Sequence, residues 1–156
     1  GYVGCGIVPF GNVVGGMPGN IVAGGRLAGV NFNKHTNPHL FRAAQEGIAF
    51  SFRYGLDIMK ETGIDPRVIR AGEANMFLSK VFRETLSNIT GTVIHLYNTD
   101  GSIGAARGAG IGCGYYKSEK EAFNGLDILG VTEPANSGIS ELEEAYSRWE
   151  NMLIKL

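Results

Sequence analysis

Apolar spacings of helical and strand type alternate along most of the chain, after a first stretch that shows neither. Leu27 to Phe32 reads as a strand, with Leu27, Gly29 and Asn31 on one side and Ala28, Val30 and Phe32 on the other. Asn37 as N-cap and Pro38 as first helical residue then open a long helix, since proline costs nothing where no N–H is needed. This helix is predicted to reach about Thr62, with Gly63 as its stop and Leu40, Ala44, Ile48, Phe52 and Met59 as its buried stripe. Beside the stripe, Gly47, Ser51 and Gly55 recur every four residues, which lets another backbone come close. Val68 to Ala71 is a short strand running into Gly72, and a second helix covers about Asn75 to Asn88, with Phe77 or Leu78, Val81, Phe82, Leu86 and Ile89 on one face. Gly91 ends it. Thr92 to Leu96 is a further strand, and Asn98-Thr99-Asp100-Gly101 is a turn. Ser102 caps a glycine- and alanine-rich helix from about Ile103 to Gly114, a short helical segment lies near Glu119 to Phe123, and a last helix carries a Ser140/Glu143 capping box. Its apolar stripe is Leu142, Tyr146, Trp149 and Leu153. Strand–helix alternation of this kind predicts an α/β fold, helices packed on a sheet.

Composition sharpens this in one respect. The chain has 156 residues, 44% of them apolar, which is one domain's worth and enough for a core. Of its 24 glycines, ten fall in the first thirty residues and six between Gly101 and Gly114. Residues 1–24 therefore read as a glycine-rich lead-in that cannot supply its own hydrophobic face. Each glycine inside a helix costs ~1 kcal/mol relative to alanine, so the helix after Ser102 is expected to persist only where packing or a ligand needs the backbone close. A formal net charge of −1 offers no footprint for nucleic acid or an anionic membrane surface. No run approaches ~20 apolar residues, so no membrane partner is expected. With two cysteines, Cys5 and Cys113, a disulfide scaffold is excluded and a reducing, cytoplasmic location is expected.

Several chemistries are excluded by their motifs. There is no P-loop and no Gly-x-Ser-x-Gly elbow, and His35, His39 and His95 share no zinc spacing. Gly108 to Gly112 resembles a dinucleotide fingerprint, but its third glycine is one residue early and it follows no strand, so a Rossmann-type oxidoreductase is the weakest reading. Glu46, on the long helix, reads as a structural hydrogen-bonding group rather than a base. Two strand-to-helix turns remain. Ala71-Gly72-Glu73, leading to Asn75, is small enough for a flat ligand or phosphate to reach the backbone at a positive helix end, and Asn75 could cap that helix or read a base edge. Gly101 and Ser102 form the second. Successive turns of one sheet emerge at the same edge, where α/β proteins bind ligands.

On these residues a resemblance can be stated. Gly24 to Met59, with Gly25, Leu27, Gly29, Val30, His39, Leu40, Ala43, Glu46 and Gly47 in register, resembles the C-terminal domain of the FGGY carbohydrate kinases, and within that family the xylulokinase type. Val68 to Glu84 is similar to the family's adenosine motif, and Asp100 to Gly114 to its Glu-Gly-Ala-x-Gly-Ala-Ala helix. Val8-Pro9-Phe10-Gly11 resembles an upstream Leu-Pro-aromatic element. The sequence departs from the pattern at Ala71-Gly72-Glu73, where the family often has three glycines, at Gln45, and over Val13 to Asn20.

The resemblance implies a ribonuclease H-like domain of the actin-like ATPase fold, with residues 1–156 as part of the C-terminal, nucleotide-binding domain. Such an origin would account for a chain that opens at Gly1. It implies ATP as cosubstrate, a Mg2+ site and an aspartate base in an N-terminal domain that also binds the sugar, and nucleotide contacts here from Ala71, Gly72, Glu73, Asn75, Gly101 and Ser102. A Glu73 carboxylate turned toward a triphosphate would weaken binding by repulsion. No residue of this chain is a credible base for a sugar hydroxyl, so the isolated chain is expected to be inactive. The alternative is a non-catalytic interaction module of the same ancestry. Which sugar is used and whether the protein forms a homodimer stay open.

Overall fold

The computed structural model describes residues 4–9, 24–135 and 138–155. In chain order the elements are β1 (Gly6–Val8), β2 (Arg26–Ala28), α1 (Asn37–Glu61), β3 (Val68–Gly72), a 3-10 turn (Asn75–Leu78), α2 (Lys80–Thr90), β4 (Val93–Tyr97), α3 (Gly101–Gly112), α4 (Glu119–Ala122), β5 (Ile128–Thr132) and α5 (Ile139–Ile154). β1 and β2 pair antiparallel, while β3 and β4 are parallel and β5 joins β4 antiparallel. The α/β reading holds. Most of the glycine-rich lead-in, including Val13 to Asn20, lies outside the described residues.

Helix α1 divides the interior. Its Phe50 enters a cluster with Val8, Ile89, Leu142, Tyr146, Trp149 and Leu153, whereas the adjacent Ala49 enters a second one with Ala71, Phe82, Leu86, Ile94 and Leu96. A helix packed on both flanks has two apolar faces, and this corrects the predicted stripe. The buried positions are Ala43, Glu46, Gly47, Ala49 and Phe50, while Phe52 and Met59 are 44% and 39% exposed. Gly47 is needed because a Cβ there would collide with the Ile7 carbonyl, but Gly55 faces open space, so of the two glycines in that spacing only Gly47 meets a neighbouring backbone. Glu46 is fully buried and accepts from Arg42 Nε at 2.6 Å, a structural ion pair. The α1 N-cap is Thr36 rather than Asn37: Thr36 is extended, its N–H donates to His39 Nδ1 at 3.1 Å, and Asn37 is already helical.

Other boundaries move for local reasons. The first predicted strand stops at Ala28 because Gly29 turns the chain at φ 71°, leaving Phe32 91% exposed. The second helix breaks at Ser79, whose Oγ accepts from the Phe82 N–H and restarts it as α2. Phe82, Leu86 and Ile89 are buried as predicted, and Leu78 and Val81 are not. Gly91, at φ 68°, ends α2 in the left-handed conformation that favours glycine. The α5 stripe Leu142, Tyr146, Trp149 and Leu153 is buried throughout, but the capping box does not form. Gly138 is the N-cap, and Glu143 instead accepts from Arg53 Nη1 at 3.0 Å, tying α5 to α1.

Candidate functional site

The two candidate turns meet at the carboxyl end of the parallel pair β3–β4. Gly72 stands opposite Tyr97 in the register, and past it the Glu73 N–H donates to the Tyr97 carbonyl at 3.0 Å. A Cβ on Gly72 would strike the Thr99 carbonyl oxygen and lie 3.1 Å from the Asp100 Cα, so only glycine lets the turns close on each other. Thus Ala71, Gly72 and Glu73 on one side and the Thr99–Ser102 segment on the other lie side by side. Ala71 itself points into the core and is 7% exposed, contributing backbone to this edge, whereas Glu73 is exposed. Asn75 is exposed and has φ 51°, making it the one non-glycine residue with positive φ among those described. Such strain costs about 1–3 kcal/mol and collects at functional sites.

Gly101 and Ser102 are exposed at the start of α3, but their roles differ from the sequence reading. The cap is Asp100, and α3 begins at Gly101. Asp100 Oδ1 accepts from Ser102 Oγ at 2.6 Å and from the Ile103 N–H at 2.9 Å. These bonds, the Ser102 hydroxyl first, hold the Asp100 carboxyl below its ordinary range. Because the folded-state value is depressed, the cap stabilises α3 at every pH above the unfolded carboxylate range and is lost as pH falls from about 4 through the lower folded value. In Asp100→Ala the Ile103 amide is therefore expected to exchange several-fold faster than in the wild type at neutral pH; equal rates would show that the cap contributes nothing.

The glycine-rich helix is packed closely at one point. The Tyr116 ring covers Gly110, but Cβ atoms at Gly101, Gly104, Gly108 and Gly112 would meet nothing within 4 Å. No residue of α3 is buried. The backbone donors at the β3 turn are also partly engaged, with Ala74 N–H on the Gly72 carbonyl at 2.8 Å as well as Glu73 N–H on Tyr97. Strand β5, missed from sequence because Ile128, Leu129 and Val131 are each about half exposed, pairs with the outer side of β4. Next to it, the Asn98 and Asp127 side chains bond at 3.1 Å. Between these elements and α4 lies an open cleft of about 680 Å³, lined by Gly72, Tyr97 and Thr99 on the sheet side and Lys120 and Phe123 on the other. The short helix predicted near Glu119 to Phe123 supplies that second wall: α4 contributes Glu119 and Lys120, and Phe123 follows at its end, a placement beside Gly72 that the sequence did not indicate.

Solved xylulose and glycerol kinases share this architecture. The chain aligns over its whole length with 31% of the xylulose kinase from Rhodospirillum rubrum, at TM-score 0.77 and 20% identity, and over 99% of its length with 31% of the Plasmodium falciparum glycerol kinase solved with ADP, at TM-score 0.72 and 23% identity. The fold class is thus an α/β part of the actin-like ATPase fold. A sequence model of the FGGY family of carbohydrate kinases, C-terminal domain, matches residues 15–113, and the chain belongs to that family. A curated relative, L-xylulose/3-keto-L-gulonate kinase of Escherichia coli K12, is 29% identical over 127 residues, 78% of this chain. The chain spans a quarter of that relative and under a third of the two kinases. Among the described residues no helix is long and apolar enough to cross a membrane.

Proposed function

We propose that this chain is the nucleotide-holding part of an ATP-dependent kinase that moves the γ-phosphate of ATP to the hydroxyl of a xylulose-type sugar in the cytoplasm. The observation that carries the reading is the closure of two glycine turns, Ala71-Gly72-Glu73 and Thr99–Ser102, at the carboxyl edge of adjacent parallel strands. Phosphoryl transfer depends on positioning and charge stabilisation, so the work of this chain is to seat the nucleotide. Gly72 and Glu73 present backbone to it, the strained Asn75 offers an amide to the base or ribose, and Gly101 and Ser102 flank the second turn. The sugar, the attacking hydroxyl's base and the magnesium belong to the rest of the enzyme. Magnesium, when bound there, would neutralise phosphate charge; among the described residues of this chain no three His, Cys, Asp or Glu side chains gather to hold it.

A second reading, a non-catalytic module with a lost nucleotide site, is favoured by a specific observation: Glu73 and Asp100 bring two carboxylates to this edge, and Ile103, Glu73 and Ala74 already spend their N–H groups within the protein. Calorimetry separates the two. The kinase reading expects this chain to bind ADP and to show no phosphorylation of D-xylulose with Mg-ATP. Absent ADP binding by a folded chain would favour the module, and turnover by this chain would overturn the expectation of inactivity.

A further inference from the structure

The carboxylates at the candidate site pose an electrostatic problem that the opposite wall of the cleft can solve. A nucleotide brings two or more negative charges to an edge where Glu73 is exposed and Asp100 is ionised. Asp100 is partly quenched by its bonds to Ser102 and Ile103, but Glu73 is not among such bonds. Binding therefore needs cations near Gly72 and Thr99 that are not already spent. In the cleft below α2 the cations are spent: Arg42 is held by the buried Glu46, Lys80 pairs with Glu84 at 3.5 Å, and Arg83 donates to the Phe77 carbonyl. In the 680 Å³ cleft they are not. Arg70, two residues before Gly72 and on the same face of β3, and Lys120, on α4, both line it, and neither has a side-chain hydrogen bond or ion pair among the described residues. Glu119 lines the cleft too without pairing with Lys120. Phe123, 45% exposed, adds an apolar surface beside them.

The wall that carries Lys120 is firmly mounted. Arg107 of α3 donates through Nη1 to the Ala122 carbonyl at 2.7 Å and the Asn124 carbonyl at 3.3 Å, which fixes α4 to α3. Asn98, just past β4, exchanges bonds with Asp127: its Oδ1 accepts from the Asp127 N–H at 2.8 Å, and its own N–H donates to the Asp127 carbonyl at 3.1 Å. The backbone that carries Lys120 is thereby held in place relative to Gly72 and Thr99, while the lysine side chain itself is ordered only when an anion arrives.

We propose that Arg70 and Lys120 are the cations that receive the phosphates of the bound nucleotide, from opposite walls of the cleft beside Gly72 and Thr99, with Phe123 as its apolar side. This rests on the nucleotide reading above and adds to it the residues that offset Glu73 and Asp100. Both side chains reach from exposed positions, so their attraction is screened by salt.

Calorimetric titration of the wild type, R70Q, K120Q and the double variant with ADP, adenosine and inorganic phosphate tests this, at low and high salt. The double variant is expected to bind ADP about tenfold more weakly, each single variant less so, with adenosine affinity unchanged and the salt dependence flattened. K80Q, whose cation is already paired, is expected to match the wild type. Equal thermal midpoints confirm that the variants are folded, and K120E, which reverses the charge without touching the core, is expected to weaken ADP further. If the double variant binds ADP with wild-type affinity and salt response, this proposal fails while the nucleotide reading stands. If inorganic phosphate binds through these two residues but ADP does not respond to them, the cleft is a separate anion site and the proposal also fails. A folded wild type that binds no ADP removes both.

Discussion

Replacing Trp149 by alanine is expected to cost about 3–5 kcal/mol, the usual range for deleting a buried aromatic side chain. Trp149 is 1% exposed and sits where α1, α5 and β1 meet. Its ring stacks on Tyr146 at 5.9 Å and meets Phe50 and Tyr54 edge-on at 6.1 and 6.4 Å. Its Nε1 donates to the Ile7 carbonyl at 3.0 Å, so truncation opens a cavity and also removes the donor from a carbonyl of the short β1 strand. Against a typical total of about 5–15 kcal/mol, such a loss removes a large share of the stability of the domain. Urea denaturation measures it, and Trp149→Phe separates the two contributions by keeping most of the ring while losing the donor. A midpoint for Trp149→Ala equal to that of the wild type would mean that this cluster does not hold the domain together.

Gly72→Val is expected to have the largest effect on ligand binding. Its side chain would enter the space held by Thr99 and Asp100, and the two turns would have to part. Overpacking of this kind costs about 1–3 kcal/mol, less than the core can spare, so the variant is expected to remain folded. Its ADP affinity is expected to fall about a hundredfold, since backbone groups of both turns leave their positions together. Gly104→Ala is the matched control. That position faces open space, so alanine there is expected to stabilise α3 by up to ~1 kcal/mol and leave ADP binding as it was. A folded Gly72→Val protein with wild-type ADP affinity would remove the turns from the nucleotide site.

Particular residues show where sequence reasoning reached. The α5 stripe could be read because Leu142, Tyr146, Trp149 and Leu153 face one neighbouring surface at one period. The α1 stripe could not, because that helix is pressed from two sides and its closest contact is made by a glycine, which carries no hydrophobic signal. Strands β1 and β5 escaped for another reason. A three-residue strand has no measurable period, and β5 leaves half of its apolar surface in view. Ser140 and Glu143 had the spacing of a capping box, yet Arg53 from α1 claims the glutamate, a contact between residues 90 apart. At the candidate site the strand-to-helix turns could be located from Gly72 and Gly101, whereas the Asp100 cap and the α4 wall depend on how the loops fold back.

The alternation of strands and helices from β3 to α3 and the placement of both glycine turns were determined by the sequence alone, because short-range periodicity and turn chemistry are local properties, and the kinship with the carbohydrate kinases was carried by its motifs. Tertiary structure decided which flank of α1 is buried, that Gly72 meets Thr99, and that Arg70 and Lys120 face one cleft. Those facts come from residues distant in the chain competing for the same space, and no window along a single sequence records that competition.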